Sequence, residues 1–388
     1  MDFSLTMYIE IQKDVVQDAI EKRELDVNES MDFLIQMALC ARQGKHIVSV
    51  PCLVSQTFQN DLSEVIGKGY VSSLNYFNQK RYSYGIYIDH LSVKCYISYT
   101  YDENLPSEII QISPQLYCRL EPWVETYILT ENLVDSAFYI HCAYYFANNV
   151  ILNGRKNDHS FTFCFYPLMG GGATIDTVMK NEIEKGQHFC LSLVDSDKKY
   201  DGDTMIGETA YKLVELVKKE NPLTCKVYVM EKVREIENLI PRMFVEEFGD
   251  NTGFIHIFDL NPSFFDMKVG LSLGELYDEN VCDYWKSILN EPELFEERDN
   301  IVQHCTAKKE YDSQIKRKAP LKKGFGSGLL SLVIGDIDFS REMKKYNPRM
   351  IDALYNIKPD DLTANQNEEW LKIGRQMFSW TCCLKVKF

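Results

Sequence analysis

In LSLVDSDKK (191–199) an apolar run closes on two aspartates one residue apart, Asp195 and Asp197. A run of that composition reads as a buried strand, so the charge is delivered to the edge of a sheet. Two of the three other apolar runs repeat the pattern. TENLVDSAFY places Glu131 directly after the apolar VETYIL and Asp135 in the first turn of the helix that follows, and EKVREIENLIP places Glu235 and Glu237 after CKVYVM. The remaining run, SFTFCFYPL, leads into Gly170, Gly171 and Gly172.

Gathered carboxylates repel one another unless a cation sits among them, and an all-oxygen set without histidine favours Mg2+ or Mn2+ over zinc. A glycine turn beside them lets a phosphate or a backbone approach closely. Each piece alone has an ordinary structural reading. DxD serves as a loop or helix cap, GGG as a turn, and EIEN as a helix start where acids suit the dipole. The functional reading comes from their common place after successive strands.

The elements that must position these residues form a regular series from Trp123: strand, helix VDSAFYIHCAYYFANN, strand, helix ATIDTVMKNEIEK, strand, helix TMIGETAYKLVELVKKE, strand. Gly186 and Asn221-Pro222 supply helix stops. The β-α-β-α-β-α-β order predicts an α/β fold with a parallel sheet covered on both faces, whose functional crevice lies at the carboxyl ends of the strands.

Residues 1–120 begin as helix, and HIVSVPCLV and YSYGIYIDHLSVKCYISYTY alternate in a way that predicts antiparallel hairpins, hence an α+β region of unknown role. Residues 121–245 make the expected catalytic domain. Residues 246–388 read as mostly helical, with one strand-like piece, GFIHIFDL, and a basic stretch.

The arrangement over about 123–245 resembles the Toprim fold of topoisomerases, bacterial primases and OLD-family nucleases. Its hallmarks are a glutamate after the first strand, here Glu131 in TENLVD where the family commonly has EGxxD, and a DxD after the third, here Asp195-Ser196-Asp197. Asn132 stands where glycine is usual, and asparagine tolerates a left-handed backbone. The GGG and REIENLIP are similar to Toprim domains of OLD-like and phage-defence proteins, which are mostly nucleases.

The resemblance implies an Mg2+- or Mn2+-dependent nuclease acting on DNA or RNA. Asp195 and Asp197 would be metal ligands, Glu131 a ligand or acid/base, and Glu235 or Glu237 further ligands. No Walker A sequence is present, so the resemblance also implies a separate ATPase or sensor as partner and a role as effector in anti-phage defence. Two other classes compete. A DxD after a parallel strand also opens haloacid-dehalogenase-type phosphatases, which leaves Glu131 and the GGG unexplained, and a Toprim-like fold can serve as a noncatalytic binding module.

Composition bounds these readings. A chain of 388 residues is long for a single core, and 45% hydrophobic with 12% aromatic residues predicts well-packed globular structure. A net charge of −15 disfavours nonspecific coating of nucleic acid while permitting a local basic patch. That patch is seven basic residues between Lys308 and Lys323, among them Lys316, Arg317, Lys318, Lys322 and Lys323, ahead of GFGSG. It predicts a loop that grips a phosphate backbone. The 12 cysteines contain no CxxC pair and read as reduced core thiols. No long apolar span or basic leader is present, which predicts a cytoplasmic protein without a membrane segment.

Overall fold

The computed structural model describes residues 7–43, 46–106, 108–120, 125–154, 161–248, 262–305, 307–315, 321–326, 328–334 and 348–384. The chain is mixed α/β with two parallel four-stranded sheets. It divides into two compact units. The first comprises Met1–Leu193, Leu213–Tyr228 and Leu371–Phe388; the second comprises Val194–Lys212 and Val229–Trp370.

The first unit opens with β1 (Tyr8–Ile11), β2 (Ile47–Ser49), β3 (Lys94–Ile97) and β4 (Ile109–Ile112), ordered β2-β1-β3-β4. Its strands pair in parallel, Ile9 lying opposite both Val48 and Cys95. The expected antiparallel hairpins are therefore corrected, and this region is α/β instead of α+β. Much of YSYGIYIDHLSVKCYISYTY falls in the 22-residue helix Lys68–Asp89, and only Lys94–Ile97 of that run is strand. The physical reason lies upstream of the tyrosines. Val71, Leu74 and Phe77 are buried at helical spacing, and a helix once nucleated there propagates through a stretch whose own alternation is short.

The second sheet follows the expected alternation. Its strands are β5 (Tyr127–Thr130), β7 (Tyr166–Met169), β8 (Cys190–Val194) and β9 (Cys225–Val229), in the order β7-β5-β8-β9. Tyr127 lies opposite Tyr166 on one side and Cys190 on the other, both in parallel register. Every residue of β8 is buried, as a central strand covered on both faces requires. Helices Leu133–Phe146, Ile175–Lys185 and Glu208–Glu220 make the connections.

SFTFCFYPL, read as one strand, is two: β6 (Phe161–Phe163) pairs antiparallel with Cys382–Leu384, and β7 joins the parallel sheet. Cys164, between them, donates its N–H to the Thr381 carbonyl at 3.0 Å. The C-terminal segment thus takes half of a run that looked continuous.

Beyond residue 245 the described chain is mostly helical, with a two-stranded antiparallel pairing of Gly270–Leu271 against Lys322–Lys323. GFIHIFDL lies outside the described residues. Cysteines whose side chains are described are free thiols. No described helix is long and apolar enough to cross a membrane.

Candidate metal centre

The site belongs to the second unit and grows from the way two chain segments stay joined after their strands end. Val194, the last residue of β8, accepts the Met230 N–H at 3.1 Å. The Ser196 and Asp197 amides both donate to the Arg234 carbonyl, at 3.0 and 2.9 Å, and the Ser196 hydroxyl donates to the Val233 carbonyl at 2.7 Å. This lacing sets Asp195 against the start of EIEN, where the Ile236 N–H donates to Asp195 Oδ1 at 2.9 Å. Glu235 Oε1 accepts the Met267 N–H at 2.7 Å.

Asp195, Glu235 and Glu237 each offer a carboxylate oxygen, and these oxygens lie within 4.8 Å of one another. Among them sits the ammonium of Lys268, at 3.1 Å from Glu237 Oε2, 3.3 Å from Glu235 Oε2 and 3.9 Å from Asp195 Oδ2. The acid side chains are deeply set, at 13%, 6% and 5% exposure for Asp195, Glu235 and Glu237, while Lys268 is 35% exposed. Glu237 Oε2 is buried and accepts no hydrogen bond of good geometry; Lys268 is its ion-pair neighbour.

Desolvation, reinforced by the Glu237 carboxylate, pushes Glu235 up to about 7 against the pull of Lys268. Burial alone would lower the Lys268 ammonium, yet Glu237, Asp195 and Glu235 outweigh it and hold the lysine protonated well above its ordinary range.

A second, largely buried layer fixes the first. Arg234 pairs with Asp266 at 2.9 Å and Glu275 at 2.8 Å, and Asp266 Oδ1 accepts the Lys268 N–H at 3.0 Å, which orients the lysine's backbone. Asn238 accepts the Glu235 N–H at 2.8 Å and donates to the carbonyls of Pro262 and Phe265, at 2.6 and 2.8 Å. Glu369, fully buried, accepts the amides of Glu231 and Lys232 at 3.0 and 2.7 Å. Gln366 donates to the Asn238 carbonyl at 2.7 Å and Trp370 to the Leu239 carbonyl at 2.9 Å. Rigid carboxylates facing one point are what binding of a small hard cation requires.

Of the residues singled out in the sequence, the structure brings together Asp195, Glu235 and Glu237. Asp197 stands apart: it is exposed, its φ is 55°, and its carboxylate lies so close to Gly207 that a Cβ there would overlap it. Glu131 belongs to the first unit, half-buried, its carbonyl accepting the Gly171 N–H at 3.0 Å. A Cβ on Gly172 would sit 3.8 Å from Glu131 Oε2. Gly171 and Gly172 have φ of 66° and 53°, and a Cβ on Gly170 would overlap Ile175, so the triplet is required by its turn.

Asn132 has φ −131°, an extended N-cap, so the left-handed backbone that asparagine tolerates is not used at this position. Asp135 completes its capping box by accepting the Asn132 N–H at 2.8 Å.

Lys316, Arg317 and Lys318 lie outside the described residues. Lys322 is paired with Glu291 at 2.8 Å and Lys323 is exposed. Gly324 of GFGSG approaches protein backbone, for a Cβ there would lie 2.5 Å from the Lys268 carbonyl oxygen.

Sequence reasoning missed Lys268 and the supporting Arg234 and Glu369. Arg234 sits inside EKVREIEN and could have been noticed as the basic residue immediately before the acids. Lys268 and Glu369 carry no local signal. Compared with family models, curated proteins and solved structures, the chain matches none of them.

Proposed function

We propose that the chain is a divalent-metal-dependent hydrolase of phosphodiester bonds in nucleic acid. The observation that supports this reading is the convergence of Asp195, Glu235 and Glu237, three carboxylate oxygens within 4.8 Å on a hydrogen-bonded frame. The donor set suits Mg2+ or Mn2+: it is all oxygen, and two of its three members are buried. Such an ion, when bound, neutralises charge on a phosphate and on its departing oxygen.

The chain's own residues do the rest. Asp195 and Glu235 are held by the amides of Ile236 and Met267, so their remaining oxygens face the shared point. Arg234 offsets one of the two charges on Asp266 and Glu275, so the supporting layer adds to the negative charge around the first.

A second reading is favoured by one specific feature, the lysine seated among the acids. A permanent ion pair there would make the site structural and the chain a noncatalytic nucleic-acid or partner-binding module.

Purified protein incubated with single- and double-stranded DNA and RNA, with Mg2+ or Mn2+ and with excess EDTA, separates the two, and an aryl phosphate arm covers the phosphatase alternative. Cleavage is expected only with metal, and Asp195→Asn or Glu237→Gln should reduce it on the order of a hundredfold or more. Undiminished turnover in EDTA would sink the metal reading. Binding without turnover under all conditions would favour the module.

A further inference from the structure

We propose that the Lys268 ammonium is a tethered occupant of the divalent-cation position, so that an ion enters only as the lysine leaves. The inference rests on reading Asp195, Glu235 and Glu237 as a divalent-cation site. Three carboxylate oxygens within 4.8 Å of one another enclose one cation centre, and Lys268 Nζ, 3.1 to 3.9 Å from an oxygen of each acid, is in it. Two cations in that space would repel across a distance no longer than an ion pair.

The two partners differ in freedom. The carboxylates are 5 to 13% exposed, and Asp195 and Glu235 are held by backbone amides, whereas the Lys268 side chain is 35% exposed on a flexible four-carbon stem. The lysine can return its charge to water; the acids cannot. Its backbone stays in place throughout, since the Lys268 carbonyl accepts the Gly326 N–H at 2.9 Å and its own N–H is bonded to Asp266.

Charge favours the exchange. With all three carboxylates ionised, one ammonium leaves two negative charges uncompensated, and a divalent ion in its place leaves one. Lys268 Nζ approaches Glu237 Oε2 to 3.1 Å and Asp195 Oδ2 only to 3.9 Å, so one ammonium satisfies the three acids unequally. In the metal-free protein Lys268 prevents three buried acids from repelling one another, and in the presence of metal it sets the affinity by competition.

Two measurements test this on the full-length chain. In the first, Mn2+ is titrated into wild type and Lys268→Met by calorimetry or electron paramagnetic resonance, and the variant is expected to bind tenfold or more tightly. In the second, wild-type lysines are reductively methylated with formaldehyde and a borane reductant, with and without Mn2+, and read by mass spectrometry. Labelling of Lys268 should rise several-fold with Mn2+ while Lys286, paired with Asp299 at 3.3 Å, stays constant.

Equal or weaker Mn2+ affinity in folded Lys268→Met, or flat labelling of Lys268 at saturating Mn2+, overturns the inference. If Lys268→Met does not fold, the labelling decides. If only the variant binds Mn2+, the inference stands and metal-dependent hydrolysis by wild type falls; if neither binds, both fall.

Discussion

Asp195 and Asp197 look equivalent in DSD, yet their environments differ in every respect that matters for a ligand. Asp195 is inside the acid cluster, with Oδ1 held by an amide, while Asp197 is exposed on a left-handed residue beside Gly207. Asparagine accepts a left-handed backbone as readily as aspartate does. Asp197→Asn is therefore expected to leave urea stability unchanged within about 0.5 kcal/mol, and to leave Mn2+ affinity unchanged. Asp195→Asn and Glu235→Gln should each weaken Mn2+ binding tenfold or more. A large loss of affinity in Asp197→Asn would restore the equivalence that the tripeptide suggests. The physical source of the difference is the turn: strand alternation ends at Val194, and two successive amides, of Ser196 and Asp197, donate to one carbonyl, Arg234.

At the scale of elements, the segment from Met230 to Ile240 behaves as a splinted loop, and Glu369 is the splint most open to test. Its carboxylate is the acceptor for two amides, of Glu231 and Lys232, in a fully buried position. Truncation removes two part-buried hydrogen bonds to a carboxylate, worth about 1.5–3 kcal/mol each at most. Glu369→Ala is expected to lower the urea midpoint and to weaken Mn2+ binding several-fold, although Glu369 is no member of the carboxylate trio. Glu369→Gln, which keeps one acceptor oxygen, should recover most of both. Loss of stability with Mn2+ affinity intact would show that the loop holds its shape without this contact.

The whole molecule should also respond to acid through a group remote in sequence from the acid cluster. His141, on the helix Leu133–Phe146, is fully buried, and burial pushes its pKa down to about 3 from 6.5. The folded state keeps this imidazole neutral while the unfolded chain takes up a proton below 6.5. The associated loss of stability is therefore absent above pH 6.5 and grows as pH falls towards 3, at about 1.4 kcal/mol per pH unit. Between pH 7.5 and 5, wild type should lose about 2 kcal/mol more than His141→Gln in urea titrations. Parallel pH profiles for the two proteins would remove His141 as a source of acid sensitivity.

What was legible in the chain was what local pattern decides. The apolar runs of β5, β8 and β9, the helices between them and the arrival of Asp195, Glu235 and Glu237 after strands all follow from periodicity and from capping residues a few positions away. The tertiary structure decided whatever depends on a distant partner. The parallel pairing of β1 with β2 and β3, the division of SFTFCFYPL between two sheets by Cys382–Leu384, and the seating of Lys268 among the acids are contacts across tens to hundreds of residues. A lysine in DMKVG is indistinguishable in sequence from one on a solvated surface. It acquires its role because Asp266 and the Gly324–Gly326 segment fix its backbone beside three carboxylates that desolvation makes costly to leave uncompensated.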